Sequence, residues 1–163
     1  MASDPHPATR LAFKIRDFRP TDAQAISGIL SNSAEAAQWP PESYPKLATS
    51  PGGLLLISEF EPSGEAIAFL AARIAADQAE VLNIATLPDF RRKGIASALL
   101  AASFERFRHS SVSRVFLELR ESNSPARALY QRHGFVLSGR RKSYYQHPAE
   151  DALCMHSDIT SAL

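Results

Sequence analysis

The chain has 163 residues, of which 45% are hydrophobic and 21% are charged, and its formal net charge at pH 7 is +1. These values indicate one globular domain, argue against broad affinity for nucleic acid or anionic membranes, and leave no apolar run near the ~18 residues of a membrane span. The single cysteine, Cys154, excludes an intrachain disulfide and favours a reducing compartment, so we expect a cytoplasmic protein.

The first ten residues lack the apolar core of a signal peptide. We therefore expect residues 1–10 to form a flexible tail and residues 11–163 to form the single domain. From Leu11 onward apolar and polar residues alternate, which predicts a strand that ends before Pro20.

A helix and a loop are predicted next. Thr21 and Gln24 have the spacing of a capping box, and apolar residues recur at helical intervals as far as Ala34. Residues 38–45 are rich in proline and aromatic rings, so we expect a loop there with at most one short helix. The inward face of the predicted helix carries Ala25, Ile26, Ile29 and Leu30.

Three strands are predicted in the middle of the chain. The apolar runs at 53–60 and 66–74 flank residues 61–64, which have a turn composition, so we predict an antiparallel hairpin. A third strand, at 79–86, ends at Pro88 because proline cannot donate to a strand ladder.

The last part of the chain predicts two helices and three strands. A wide apolar stripe indicates a helix that covers a sheet, and period-2 alternation indicates a strand after it. Ser124 as N-cap, Pro125 as the first helical residue and Gly134 at the end bracket a short second helix. These elements are helices at 93–109 and 124–133 and strands at 113–120, 135–146 and 151–159.

The predicted order of elements is β-α-(α)-β-β-β-α-β-α-β-β, which we interpret as an α/β or α+β fold. The helix at 93–109 joins two strands as a crossover, and such a connection requires them to be parallel. The other neighbours can be antiparallel. We therefore expect a mixed, mostly antiparallel sheet of six to seven strands flanked by helices.

The most informative stretch joins the strand at 79–86 to the helix at 93–109. The strand stops at a proline, and basic residues and a glycine precede the helix. The first N–H groups of a helix have no internal partner and lie at the positive end of its dipole, so this junction is suited to phosphate. The alternative is that the basic residues form a solvated surface patch, but the glycine between strand and helix favours a phosphate site. The second basic run, residues 140–142, does not lie between a strand and a helix and is interpreted as a solvated surface patch.

Three blocks of sequence carry a resemblance to a known family. Residues 91–96, reading R-R-K-G-I-A, fit the pattern Q/R-x-x-G-x-G/A; residues 116–123 resemble L-E-V-R-x-S-N; and residues 128–135 resemble A-L-Y-x-x-x-G-F. In this order and spacing the chain resembles the GNAT acyltransferase superfamily, and within it the RimI-type acetyltransferases that modify protein N-terminal alanine. The resemblance implies the GNAT fold with a central parallel β-α-β acetyl-CoA site.

By the same resemblance, acetyl-CoA is the cosubstrate. Its diphosphate is expected on the backbone N–H groups of the glycine-containing loop, and its thioester beside the end of the preceding strand. Asn123 has two equally good interpretations: it contacts the pantetheine arm, or it forms an Asx turn before the helix. No metal is expected, because the five histidines lack metal-ligand spacing. The implied cofactor-binding residues are Ile84, Ala85, Thr86, Arg91, Arg92, Lys93, Gly94, Ile95, Ala96, Ser97 and Asn123.

Acetyl transfer to an amine needs a base for the ammonium proton and a proton for the departing thiolate. The resemblance implies that Glu118 is the base and that Tyr130 is the acid. From the residues alone, Glu118 could instead form a salt bridge with Arg120 or Arg114. Tyr130 could instead be a core residue on the apolar face of its helix.

The resemblance also implies that the loop after the first helix and the last hairpin flank the acceptor. Aromatic packing under a loop is the alternative for the same residues. One residue more than in the RimI-type R-R-x-Y-Y segment stands between the arginines and tyrosines here. The candidate substrate-binding residues are Trp39, Glu42, Tyr44, Tyr144 and Tyr145.

The function expected from the resemblance is direct transfer of acetyl from acetyl-CoA to a primary amine in a ternary complex, with a protein N-terminal α-amine as the preferred acceptor. The alternatives are a GNAT enzyme for a small-molecule amine, such as a polyamine, an aminoglycoside or an amino acid, and a non-catalytic acyl-CoA-binding module. Retention of both Glu118 and Tyr130 favours an enzyme. We expect no nucleic-acid or membrane partner, and a monomer or a homodimer.

Overall fold

The computed structural model describes residues 10–159, in which seven strands form one sheet and α-helices pack on both of its faces. Most of the predicted tail, residues 1–9, lies outside the described residues. Within that range no helix has both the length and the apolar character needed to cross a membrane. The strands are β1 (Phe13–Asp17), β2 (Gly53–Phe60), β3 (Glu65–Ala75), β4 (Gln78–Thr86), β5 (Arg114–Arg120), β6 (Val136–Tyr145) and β7 (Glu150–Asp158), and the helices are α1 (Ala23–Ser31), α2 (Ser43–Thr49), α3 (Ile95–His109) and α4 (Ser124–Arg132).

The strand order in the sheet is β1-β2-β3-β4-β5-β7-β6. Only β4 and β5 are parallel, and every other neighbouring pair is antiparallel. The predicted order of elements and the mixed, mostly antiparallel sheet are confirmed. β3 lies near the centre of the sheet, and its apolar run is buried on both faces, as expected for an interior strand.

A gap opens in the sheet where β4 and β5 separate. The two strands pair only along 78–81 and 114–117, and beyond this point β4 continues to Thr86 against β3. The register of β3 against β4 shifts between Ala71 and Ala72, and a bulge of this kind bends the strand and increases its twist. We call the opening between the ends of β4 and β5 the β4–β5 gap.

Two apolar cores lie on opposite faces of the sheet. On one face, α3 and α4 cover the sheet with Leu99, Leu100, Phe104, Phe107 and Tyr130. On the other face, α1 and α2 cover it with Ile26, Ile29, Leu30 and Tyr44. The predicted inward residues Ile26, Ile29 and Leu30 are buried as expected, and Ala25 packs at the edge of the same core.

Two predicted helix caps are wrong. The turn before α1 is closed by Asp22, whose carboxylate accepts a hydrogen bond from the Arg19 N–H at 2.6 Å, rather than by Thr21 and Gln24. In α4 the cap is Asn123, one residue before the predicted Ser124, and its Oδ1 accepts from the Ala126 N–H at 3.3 Å. Asn123 thus reaches an unpaired donor of α4, as Asn commonly does at an N-cap, whereas Asp22 closes the short turn at 20–22 that precedes α1.

Candidate active site

The junction between β4 and α3 presents a row of free backbone donors. In the described part of the chain, the N–H groups of residues 92–97 donate to no protein acceptor, and the first helical bond is from Ala98 to the Gly94 carbonyl, at 3.0 Å. Gly94 has φ +83° and Arg92 has φ +60°, so the backbone changes direction twice within three residues. This run, which we call the phosphate loop, is the predicted junction.

The phosphate loop is open to a ligand. A Cβ built on Gly94 would have no atom within 4 Å, and Arg92 and Lys93 are exposed beside it. Donors at a helix N-terminus, with the positive end of the dipole behind them and two cationic side chains nearby, fit a diphosphate. The residues present therefore fit the anionic part of the cosubstrate implied by the sequence.

Arg91, the first residue of the predicted motif, faces away from the free donors. Its N–H donates to the Pro88 carbonyl at 3.2 Å, and its Nε donates to the Thr86 carbonyl at 2.9 Å. Its terminal Nη2 donates to the Asn32 carbonyl at 2.8 Å and to Ser33 Oγ at 3.0 Å. The side chain thus ties the phosphate loop to the end of α1 and is not directed at a phosphate.

The end of β4 runs along the β4–β5 gap. Ala85 and Thr86 are buried and Ile84 is half-buried, and all three pair with β3 on their other side. In the described residues β5 does not pair with them, so their backbone groups on the gap side lack a partner strand. A backbone N–H in this position can polarise a carbonyl placed in the gap.

Glu118 stands at the opening of the gap. It directly follows Leu117, the last residue of β5 that pairs with β4. As predicted, it alternates with the buried Leu117 and Leu119, and its side chain is 19% exposed. Its carboxylate pairs with Arg141, at 2.6 Å from Nε to Oε1, and the Cys154 thiol lies 4.0 Å away.

Arg120 and Arg114, the partners considered for Glu118 from the sequence, bind elsewhere. Arg120 pairs with Glu150 at 3.3 Å, and Arg114 pairs with Asp158 on β7. Glu118 does form an ion pair, but its partner is Arg141 on β6. The two strands are not neighbours, because β7 lies between β5 and β6, so Arg141 reaches Glu118 across β7.

The two tyrosines of the last hairpin lie beside Glu118. The rings of Tyr144 and Tyr145 are 5.1 Å apart, and the guanidinium of Arg120 lies 4.5 Å from the Tyr145 ring centre. The charge of Glu118 raises the pKa of Tyr144. Burial, with Glu118 as the next cause, raises the pKa of Tyr145 to about 12. The charge of Glu118 therefore acts on both predicted residues.

Tyr130 lies in the core on the face of α3 and α4. Its side chain is 6% exposed and its ring packs edge-on against Phe135 at 5.7 Å. Burial raises the pKa of Tyr130 well above its ordinary value, and the nearby Tyr145 adds to the rise. Tyr145 thus links the surroundings of Glu118 to those of Tyr130. The core-residue interpretation of Tyr130 is confirmed, which leaves its role as an acid a prediction.

The α1–α2 loop, residues 32–42, and Glu118 lie on the same face of the sheet. The register places Asn83 and Ala85 on the face covered by α1 and α2, and the pairing of Glu80 with Phe116 extends that face to Glu118. An open depression of about 400 Å³ on this face is lined by Arg73, Glu80, Phe116, Glu118, Arg141 and Cys154, among others.

One residue predicted for the acceptor groove does not face a groove. Tyr44 is fully buried, with its ring against Phe69 at 5.4 Å and its hydroxyl accepting from Asn83 Nδ2 at 3.0 Å. The prediction that Tyr44 contacts substrate is corrected, because the first turn of α2 directs it into the core. Trp39 is half-buried against Tyr44 at 5.5 Å, and Glu42 is exposed.

Three features of the site were missed in the sequence. Arg141, from the basic run at 140–142, pairs with Glu118, and Cys154 is half-buried beside the same carboxylate. Ser97, in the first turn of α3, is bound by His133 at 2.7 Å, and burial lowers the pKa of His133. Strand register joins the first two to Glu118, and helix packing joins the third to the phosphate loop, so no local pattern signalled them.

Comparison with known proteins gives a consistent result. The model of the acetyltransferase (GNAT) family matches residues 23–135. The ribosomal protein bS18-alanine N-acetyltransferase of Escherichia coli strain K12 is 32% identical over 148 residues, which cover 90% of this chain and 97% of that protein. The crystal structure of the ribosomal-protein-S18-alanine N-acetyltransferase from Escherichia coli matches with a TM-score of 0.81 and 28% identity, over 93% of this chain and 97% of that one. The structure of Ard1 from Thermoplasma volcanium has a TM-score of 0.82 at 24% identity, over 91% and 99% of the two chains, and shows the shared fold.

Proposed function

Because the chain belongs to the acetyltransferase (GNAT) family, we propose that it transfers the acetyl group of acetyl-CoA directly to the α-amine of a protein N-terminus. The observation that carries this proposal is the juxtaposition of the phosphate loop, the β4–β5 gap and Glu118. A site for a diphosphate lies at one end of the gap and a carboxylate at its opening. This is the arrangement that a ternary complex needs.

The phosphate loop and the gap bind and orient the cosubstrate. The N–H groups of residues 92–97 bind the diphosphate, and the gap-side backbone of 84–86 holds the thioester end. Acetyl-CoA supplies an acetyl group activated as a thioester. A β4 N–H directed at its carbonyl oxygen stabilises the negative charge that develops during attack. Asn123 caps α4 through Oδ1, which leaves its amide Nδ2 to donate to the pantetheine arm in this proposal.

Glu118 takes the proton of the acceptor ammonium, directly or through a water molecule. An amine is a nucleophile only when neutral, so a base at this point is required. In the free enzyme Arg141 pairs with the same carboxylate at 2.6 Å. An arriving ammonium group therefore competes with Arg141 for Glu118, and the exposed Arg141 side chain can turn toward solvent.

Tyr130 is the proposed hydrogen-bond donor to the CoA thiolate, which leaves on the other side of the gap. Its raised pKa keeps the hydroxyl protonated throughout the physiological range, so Tyr130 Oη is a hydrogen-bond donor to the leaving thiolate at any working pH. Its ring packs edge-on against Phe135 within the buried core, which restricts the direction of that donor. Base and acid are then on opposite faces of the sheet, with the gap between them.

An N-terminal α-amine is the acceptor best supported. The Escherichia coli relative is named for acetylation of an alanine of ribosomal protein bS18. An α-amine also has a pKa roughly 2.5 units below that of a lysine side chain, which makes deprotonation easier by about 3.4 kcal/mol. The exposed Tyr144 and the half-buried Trp39 are available to contact the first residues of such a chain.

A panel of acceptors tests the proposal. The purified protein is given acetyl-CoA with an alanine-starting peptide, the same peptide with a blocked N-terminus and an internal lysine, a polyamine and an aminoglycoside, and thiol release is measured. We expect turnover with the free N-terminus and less than about a hundredth of it with the blocked peptide, in line with the lysine penalty. Equal rates with both peptides, or preference for a small amine, would contradict the acceptor class.

A further inference from the structure

The α1–α2 loop is held together as one compact body. The side-chain amide of Gln38 donates to the Leu30, Ser33 and Ala36 carbonyls at 3.3, 3.0 and 3.2 Å. One residue thus connects the end of α1 with the middle of the loop. Because Trp39 follows Gln38 directly, these hydrogen bonds also restrict the position of the Trp39 backbone.

Asn83 on β4 forms hydrogen bonds with the middle of the loop. Its Oδ1 accepts from the Ala37 N–H at 3.2 Å, and its Nδ2 donates to the Ala37 carbonyl at 2.8 Å and to the Tyr44 hydroxyl at 3.0 Å. Asn83 is only 6% exposed, so these hydrogen bonds are shielded from water. Asn83 thus fixes the middle of the loop to β4, the strand that leads to the phosphate loop.

Arg91, which lies between β4 and α3, forms hydrogen bonds with the start of the loop. It bonds the Thr86 carbonyl, the Asn32 carbonyl and Ser33 Oγ at once, and Glu35 lies 3.4 Å from its Nη2. α1 has no basic residue in its last turn, so Arg91 supplies the cation at the negative end of the helix dipole. The Arg91–Glu35 pair is exposed and adds little, whereas the hydrogen bonds to the helix end carry the contact.

We propose that Asn83 and Arg91 are positioning residues that couple the phosphate loop to the α1–α2 loop, so that CoA binding sets the position of the acceptor side of the site. Arg91 immediately precedes the free donors at 92–97, so fixing those donors on a diphosphate fixes its backbone too. The inference deepens the proposed function and rests on it in one respect, namely that the acceptor meets the α1–α2 loop. If CoA binding raises the affinity for an acceptor that contacts this loop, then by linkage acceptor binding raises the affinity for CoA by the same factor.

Trp39 is a built-in probe for this coupling, because it is the only tryptophan of the chain and belongs to the α1–α2 loop. CoA alone is titrated into the wild type, Arg91→Lys and Arg106→Lys while Trp39 emission is recorded, and CoA affinity is measured by calorimetry. Lysine retains the charge of Arg91 but cannot bond three acceptors in a planar fork. Arg106 makes an exposed ion pair with Asp17, so its variant is a matched control.

We expect CoA to change Trp39 emission in the wild type and in Arg106→Lys. In Arg91→Lys the CoA dissociation constant stays within about threefold, the emission change falls by more than half, and the acceptor KM rises about fivefold or more at nearly constant kcat. Tyr44→Phe keeps the ring and removes one hydrogen-bond partner of Asn83. In this variant we expect the CoA-induced emission change to fall, and the acceptor KM to rise, by less than in Arg91→Lys.

Two results would overturn the coupling. One is a wild-type Trp39 signal that ignores CoA or an Arg91→Lys response equal to the wild type. The other is loss of CoA binding in Arg91→Lys, because Arg91 would then act on the phosphate site itself. An Arg91-dependent Trp39 response without turnover of any peptide would support the coupling and contradict the proposed acceptor.

Discussion

The Nε atom of Arg141 lies 2.6 Å from Oε1 of Glu118, so the predicted base is paired with a cation from the neighbouring hairpin. The Arg141 side chain is 60% exposed and also lies 5.4 Å from the Tyr144 ring centre. Exposed ion pairs contribute about 0–1 kcal/mol, so this one is easily exchanged. The pair can hold the Glu118 side chain in place until an acceptor ammonium replaces Arg141.

Replacing Arg141 with methionine is expected to favour the acceptor. Without a competing cation, kcat/KM for the peptide should rise by about two- to fivefold, the equivalent of up to ~1 kcal/mol. The control is Arg140→Met, which removes the ion pairs with Glu121 and Asp151 but leaves Glu118 untouched. Steady-state kinetics at low salt measures both. A tenfold fall in kcat/KM for Arg141→Met alone would show that Arg141 assists catalysis and does not compete.

Replacing Glu118 with glutamine should remove the base and preserve the shape of the side chain. We expect kcat to fall by on the order of 10²–10⁴, with CoA affinity by calorimetry little changed because the phosphate loop is intact. Glu121→Gln, three residues further on and paired with Arg140, is the matched control and should keep the parental rate. Parental turnover and an unchanged pH profile in Glu118→Gln would refute the assignment of the base.

Replacing Tyr130 with phenylalanine separates its core role from its chemical role. The ring keeps its contact with Phe135, so the melting temperature should fall by only a few degrees, as for the loss of one hydroxyl. The rate of transfer should fall by on the order of 10², because the leaving thiolate loses its donor. Calorimetric melting and single-turnover rates check the two parts. A folded variant with the parental rate would leave Tyr130 as packing only.

Asp22 should make the stability of the domain depend on pH. Burial alone would raise the pKa of Asp22, but hydrogen bonds from Arg16 and from the Arg19 N–H, with the Arg16 charge, outweigh it and hold the pKa below its ordinary value. Stability from this carboxylate is therefore full above about pH 4 and is lost as the pH falls through the lowered folded-state pKa.

The test is urea unfolding of the wild type and of Asp22→Asn between pH 7 and pH 3. At pH 7 the variant should lose about 1.5–3 kcal/mol of unfolding free energy, because Arg16 loses a charged hydrogen-bond partner. The difference should shrink below about pH 4 as Asp22 becomes protonated in the wild type. A difference that stays constant across this range would exclude the ionised carboxylate as its source.

The elements and the phosphate loop could be predicted because they depend on local patterns. The stop at Pro88, the glycine at 94 and the helical stripe that follows are neighbours in sequence, and their physical roles do not require distant partners. Gly94 indeed adopts the positive φ that glycine adopts most readily. The bounds of most strands were predicted within one or two residues for the same reason.

The surroundings of Glu118 could not be predicted, because they depend on which strands become neighbours. The sequence does not show that β7 is inserted between β5 and β6, and this insertion places Cys154 opposite Glu118 and brings Arg141 within reach. Tyr44 failed for a similar reason. An aromatic residue in a proline-rich segment resembles a groove residue until the distant Asn83 is seen to satisfy its hydroxyl.

The central claim is that the donors at 92–97 hold the diphosphate of CoA, and calorimetry on two matched glycine variants tests it most directly. Gly94→Asp and Gly64→Asp each place a carboxylate at a positive φ with no atom near the new Cβ, so both carry similar strain. We predict that Gly94→Asp abolishes CoA binding by repulsion at the phosphate loop, while Gly64→Asp, in the β2–β3 turn, binds like the wild type. Equal CoA affinity in both variants would contradict the account.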